Sequence, residues 1–186
     1  MKKGWIIALV VLVIVIFSGV GSYNSLIAMN EKVDGNWSQV ENQLQRRADL
    51  IPNLVSTVKG FAAQEKDILN TIAESRSKLI GAGGVADKAA VNDELNSALS
   101  RLLVVVENYP NLKSDANFRQ LMDDLAGTEN RLAVARKDYN DSVQVFNAKI
   151  KSFPNVIWAG MLGFETREYF KAAESANQTP IVDFEK

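Results

Sequence analysis

The sequence predicts an all-α protein, an elongated antiparallel bundle of long helices with one N-terminal transmembrane helix. Three observations predict it. No charged residue occurs from Gly4 to Asn30. Apolar residues then recur at alternating steps of three and four as far as Phe153. Glycine and proline, 11 and 4 in number, punctuate this pattern at only a few positions.

Residues 1–24 are expected to form the anchor. A helix from Gly4 to Tyr23 is about 30 Å long, the thickness of the hydrocarbon core. Trp5, Leu9, Leu12 and Phe17 lie along it, and Trp5 and Tyr23 stand at its ends, where interfacial aromatics belong. Its Ile, Leu, Val and Phe side chains favour insertion by roughly 4 to 7 kcal/mol. A cleavable signal peptide is the competing reading, with Val20-Gly21-Ser22 as its small residues. The length of the apolar run and the lack of an Ala-x-Ala site favour an uncleaved anchor. A buried core helix fits less well, because no polar face interrupts the run. Lys2, Lys3 and the amino terminus precede the span, and only Lys32 follows closely. The positive-inside rule therefore favours a cytoplasmic N-terminus and an exported domain.

Residues 25–154 are expected to form the bundle. Leu26, Val33, Trp37, Val40, Leu44, Ala48 and Ile51 make a narrow coiled-coil stripe, and the anchor is expected to run straight into it. Asn30 falls on this stripe, where a polar residue sets helix register. Pro52 predicts a kink or short break at Ile51-Pro52. The next stripe is Leu54, Val58, Phe61, Glu65, Ile68, Ile72, Ser75 and Leu79, with Gly60 tolerated inside it, and Gly81-Ala82-Gly83-Gly84 ends it. A third helix is expected over residues 87–109, with Val91, Leu95, Ala98, Leu102, Val105 and Tyr109 inward and Pro110 as its stop. Ser114 or Asp115 is expected to cap a fourth helix. Its stripe runs from Phe118 through Leu121, Leu125, Thr128, Leu132, Ala135, Tyr139, Ser142, Phe146 and Lys149 to Phe153, flanked by Val143 and Ile150, until Pro154 closes it. At about 57 Å such a helix must pack lengthwise against its neighbours. Short connections at 81–86 and 110–115 favour antiparallel packing.

Residues 155–176 are expected to be an apolar C-terminal segment, and 177–186 a tail in which Ile181, Val182 and Phe184 are apolar. Asn155 to Phe164 is uncharged and too short to span a bilayer. It either folds back over the bundle or presents an apolar patch to a partner, a second copy or the membrane surface. A weaker helix is expected over residues 167–176.

The chemistry on offer is limited. The chain has no cysteine and no histidine, and its 21 basic and 22 acidic residues nearly cancel. Thiol chemistry, Cys-ligated zinc and the commonest general base are thereby excluded. The basic surface of a nucleic-acid binder is missing. Asp123-Asp124 diverge by about 100° on a helix and do not converge on one ion. The glycine run at 81–84 lacks the Gly-Lys-Ser/Thr of a phosphate loop. No catalytic, cofactor-binding or metal-binding residue is assigned. Arg46, Arg47 and Asp49 form the densest charged cluster, suited either to pairing within the bundle or to an anionic partner. Tyr139 is expected to pack its ring in the core while its hydroxyl finds an acceptor.

These residues together resemble the LemA family of bacterial membrane-anchored proteins. The resemblance is carried by Tyr23-Asn24-Ser25-Leu26, by Val33, Trp37 and Val40, and by the run Gln43-Leu44-Gln45-Arg46-Arg47-Ala48-Asp49-Leu50-Ile51-Pro52-Asn53-Leu54-Val55. Val58-Lys59-Gly60-Phe61, Glu107, Tyr109-Pro110, Leu112, Tyr139-Asn140 and Phe153-Pro154 extend it over essentially the whole chain. It implies a transmembrane helix joined to a long-helix bundle and brings no established reaction. It also implies an extracellular N-terminus, opposite to the basic-residue count, and a genomic association with membrane-bound heat-shock metalloproteases.

The expected function is therefore that of a non-enzymatic adaptor or scaffold of the cell envelope. Its partners would be the lipid bilayer and an envelope protein such as a membrane metalloprotease. Arg46, Arg47, Asp49, Asn53, Trp158, Met161 and Phe164 are its candidate interaction residues. Self-assembly into homo-oligomers is the alternative, and a hydrolytic enzyme the remote one.

Overall fold

A computed structural model describes residues 2–171. Among these residues there are six helices and no strand: α1 (Lys2–Phe61), α2 (Lys66–Gly81), α3 (Val85–Val106), α4 (Pro110–Ser114), α5 (Ala116–Lys151) and α6 (Asn155–Leu162). The expected tail at 177–186 lies outside the described residues, as do residues 172–176. The all-α bundle predicted from the stripes is what the chain forms. The described residues divide into two compact units: residues 2–38 with 137–168, and residues 39–136 with 169–171.

In the first unit, the N-terminal part of α1 runs antiparallel to the C-terminal half of α5. The Asn36 side chain donates to the carbonyl of Asp138 at 3.0 Å, and Ser22 donates to Asn155 at 2.8 Å. Leu26, Val33, Tyr139, Val143, Phe146 and Ile150 fill the space between them. The rings of Trp37 and Tyr139 lie 5.2 Å apart. From Trp5 to Val20 the large apolar side chains of α1 are exposed. This stretch is long and apolar enough to cross a membrane.

In the second unit, the remainder of α1, then α2, α3 and the first part of α5 alternate in direction. Arg76 of α2 reaches Ala48 and Lys78 reaches Glu94 of α3, while Lys88 pairs with Glu41 and Arg47 with Glu129. The shared core includes Leu44, Ile51, Leu54, Val58, Ile72, Leu95, Leu102 and Leu132. Asp115 caps α5, its side chain accepting the Phe118 N–H at 2.9 Å.

Several boundaries differ from expectation. No break occurs at Pro52, which sits inside α1. Its missing N–H would leave the carbonyl of Ala48, four residues earlier, unbonded. Arg76 Nε supplies that carbonyl with a donor at 2.8 Å. The chain reverses instead at Ala62–Glu65, where the Glu65 N–H bonds the Ala62 carbonyl at 3.1 Å. The expected stripe from Leu54 to Leu79 is therefore two helices, with Ala62 and Leu69 in the core and Phe61 exposed. Ala62 and Leu69 are one heptad apart, so the period continues unbroken across a reversal. The third helix stops at Val106, and the expected connection at 110–115 contains the one-turn α4 with Pro110 at its start. Phe153, expected on the α5 stripe, is 81% exposed. α5 has already ended at Lys151, and Pro154 disfavours helical geometry at Phe153.

The helix expected from residue 167 is absent as far as residue 171, where the chain takes no regular secondary structure. α6 ends on Gly163 in the left-handed region (φ 74°), with the Phe164 N–H bonding the Ala159 carbonyl. Asn147 then holds the peptide groups of Arg167 from both sides. Its amide donates to the Arg167 carbonyl at 2.9 Å, and its oxygen accepts the Arg167 N–H at 2.8 Å. Those groups are thereby diverted from helical bonding.

Candidate functional site

In the first unit, the candidates Trp158, Met161 and Phe164 take different positions. α6 turns Asn155, Trp158 and Ala159 toward α1 and α5, as the i, i+3, i+4 spacing dictates. The Trp158 indole lies directly over Gly19, where a β-carbon would come within 3.0 Å of it. Phe164 stacks at an angle on Tyr23 and Phe146, 6.4 and 6.3 Å between centroids. Met161 points away and is 74% exposed, together with Val156, Ile157 and Leu162. The segment thus covers part of its unit with one face and leaves the other apolar face open. The expected anchor residues Trp5, Leu9, Leu12, Phe17 and Tyr23 all have exposed side chains.

The same unit holds a polar chain that starts from Asn30. This half-buried side chain donates to Asp34 at 3.2 Å, and Asp34 forms an ion pair with Arg167. Nearby, the Tyr139 hydroxyl donates to the Glu168 carbonyl at 2.8 Å. Burial raises the pKa of Tyr139 above the ordinary 10.0; Arg167 opposes the shift, and Asp34 and Glu168 add to it.

In the second unit, Arg46, Arg47, Asp49 and Asn53 do not share a surface. Arg46 and Asp49 are exposed, and Asp49 accepts a bond from Gln45 one turn earlier at 2.8 Å. Asn53 borders an open hollow with Ser56, Thr57, Asn117, Gln120 and Leu121. Arg47 points the other way and is 4% exposed. One of its terminal nitrogens donates to Glu129 at 2.5 Å and to Asn92 at 2.8 Å, and the other donates to Asn96 at 2.5 Å. Arg136 stands 3.6 Å from the second oxygen of Glu129, with its guanidinium 4.7 Å over the Phe170 ring. Burial holds the Arg47 guanidinium below its ordinary value; Glu129 opposes that shift, and Arg136 adds to it. Two guanidinium groups thus share one carboxylate inside a helical core, which fixes the alignment of α1, α3 and α5.

Asn92, Asn96, Glu129 and Arg136 escape a reading that looks only for apolar stripes. The signal was present in the spacing. Arg47 lies seven residues after Val40 and three after Leu44, a core position. Asn92 lies three before Leu95, and Asn96 follows it by one turn. Asp123 and Asp124 stay on the α5 surface side, where Asp124 accepts from Gln120 at 3.2 Å. Among the described residues, no three acidic side chains gather as a metal-binding set.

Comparison with known proteins adds a family and relatives. The model of the LemA family matches residues 36–184. The chain is 30% identical to magnetosome protein MamQ 2 of Paramagnetospirillum magneticum, over 86% of this chain and 68% of the relative. It is also 30% identical to magnetosome protein MamQ of Magnetospirillum gryphiswaldense, with the same two coverages. Protein LemA of Metamycoplasma hominis is 25% identical over 85% of this chain and 73% of the relative.

Proposed function

Because the chain belongs to the LemA family, we propose that it is a membrane-anchored adaptor of the bacterial cell envelope that works by binding other proteins. One observation carries this reading. A single unbroken helix, α1, contributes both the exposed apolar stretch and core residues of the bundle. Any protein that docks on the helical faces is thereby confined to the membrane plane, which raises its effective concentration there. Binding is favoured over turnover because the charged groups inside each unit, Arg47 with Glu129 and Asp34 with Arg167, are engaged in holding its elements together. The exposed Arg46 and the Asn53 hollow offer polar docking surface for an envelope protein, a membrane metalloprotease among the possibilities. We assign the bundle to the exported side of the inner membrane, on the basic residues that precede the span.

The test is photo-crosslinking in intact cells from the full-length chain, with the crosslinker at Arg46 or Asn53. Adducts to a distinct envelope protein are expected. Adducts of doubled mass alone would replace the adaptor reading with self-assembly, and no adduct from either position would refute both. Protease treatment of spheroplasts checks the orientation. Digestion of the bundle from outside is expected, and full protection would reverse the assignment.

A further inference from the structure

We propose that α6 is a second membrane-contacting element, lying in the interface of the bilayer beside the anchor with Val156, Ile157 and Met161 turned into lipid. The proposal rests on reading residues 4–23 as a membrane anchor. An eight-residue helix cannot cross a bilayer, but it can lie along the boundary between headgroups and acyl chains. α6 carries no charged residue. Its inner face is accounted for by Asn155, Trp158 and Ala159. Its outer face is apolar and open: Ile157 is 52% and Met161 74% exposed. A contiguous apolar face of this kind, beside polar helices, marks a contact surface.

Position identifies the occupant. Trp158 packs on Gly19, and Asn155 accepts the hydroxyl bond of Ser22. Counting about 1.5 Å per residue, Gly19 lies about 22 Å along the helix from Gly4. It therefore falls near the end of a 30 Å hydrocarbon core. At that level α1 also exposes Phe17, Val20 and Tyr23. If α1 is in lipid up to Tyr23, α6 cannot avoid the interface. Lys149 and Lys151, in the last turn of α5 just before it, place cations where headgroup phosphates are found. The small residue at Gly19 is what admits the indole, a residue type enriched at this depth.

The absence of native cysteine makes the test direct. Full-length protein in vesicles of phosphatidylethanolamine and phosphatidylglycerol is spin-labelled at one introduced cysteine: Met161→Cys, Ile157→Cys, Leu12→Cys or Val134→Cys. Accessibility to oxygen, which partitions into lipid, is compared with accessibility to a water-soluble nickel chelate. Leu12 reports on the anchor, and Val134, 60% exposed on α5, serves as the reference outside it. The expected result is an oxygen-to-nickel ratio at Met161 and Ile157 severalfold above that at Val134, and below that at Leu12. Equal ratios at Met161, Ile157 and Val134, with Leu12 still lipid-exposed, would overturn the proposal and leave the anchor intact. An aqueous Leu12 would overturn the anchor itself. Shielding of Met161 from both reagents would show a protein cover, such as a second copy, and would also overturn it.

Discussion

The side chain of Arg76 donates to the carbonyl of Ala48 across 2.8 Å, filling the place of the N–H that Pro52 lacks. A proline deep inside a helix costs about 3 kcal/mol, in part through the lost bond. Here a donor from the antiparallel helix replaces that bond, and α1 runs on to Phe61. Arg76→Met is therefore expected to lower stability by about 1 to 2 kcal/mol, the cost of leaving a carbonyl unbonded. In a Pro52→Ala background the backbone supplies its own donor, and the same substitution should cost well under half as much. Urea unfolding of the four proteins in mild detergent, followed by circular dichroism, closes the cycle. Equal costs in both backgrounds would show that the contact does not compensate for the proline.

The pair of Arg47 and Glu129 gives a second expectation. Removing one partner of a buried ion pair strands the other charge, typically at a cost of about 3 to 5 kcal/mol. Glu129 retains 35% exposure, so Glu129→Gln is expected near the lower end, at roughly 3 kcal/mol. Removing the more deeply buried of the two stranded guanidinium groups as well, in Arg47→Met with Glu129→Leu, should recover part of that loss, while Arg136 lacks the carboxylate in both variants. The same denaturation assay reads both. A double variant less stable than Glu129→Gln alone would mean that the Asn92 and Asn96 bonds to Arg47 outweigh the charge pair.

These two contacts also mark where sequence reasoning stops. The long apolar N-terminal helix is legible because an uncharged apolar run of this length has few alternatives. The stripes of α3 and α5 are legible because a heptad period survives any choice of neighbour. The reversal at Ala62–Glu65 is hidden, since Ala62 and Leu69 keep the heptad while the chain changes direction. Pro52 misleads because its rescue comes from Arg76, distant in sequence. Arg47 reads as one of a charged cluster suited either to pairing within the bundle or to an anionic partner, until α3 and α5 bring Asn92, Asn96 and Glu129 to it. Spacing alone puts it on the core face, but only the assembled helices supply its partners.

Tyr139 connects the core to pH. Its hydroxyl is buried and donates to the Glu168 carbonyl, and its pKa lies above the unfolded 10.0. A raised pKa means that the folded state holds the proton to higher pH. The stabilising contribution is complete below pH 10 and is lost as pH rises through the folded-state value. Alkaline titration of unfolding free energy should show that loss in the native chain. Tyr139→Phe should flatten the decline and cost about 1 kcal/mol at neutral pH through the missing hydrogen bond. A decline of equal steepness in the variant would assign the alkaline transition to other groups.

The clamp of Asn147 on Arg167 makes a prediction about the segment that follows α6. Two hydrogen bonds from one side chain hold that peptide out of helical geometry, and each contributes about 1 kcal/mol. Asn147→Ala removes both, while Tyr139 and Asp34 still engage Glu168 and the Arg167 side chain. The core of α5 should stay folded, because the Asn147 side chain contributes polar contacts and little apolar area. Local opening of the segment should rise by roughly tenfold for each 1.4 kcal/mol lost. Trypsin cuts after Arg167 only from an opened conformation, so brief digestion under native conditions measures this population. Cleavage at Arg167 is expected to accelerate about tenfold or more, with helical content unchanged. An unchanged cleavage rate would show that the Arg167–Asp34 ion pair, not the amide clamp, holds the segment in place.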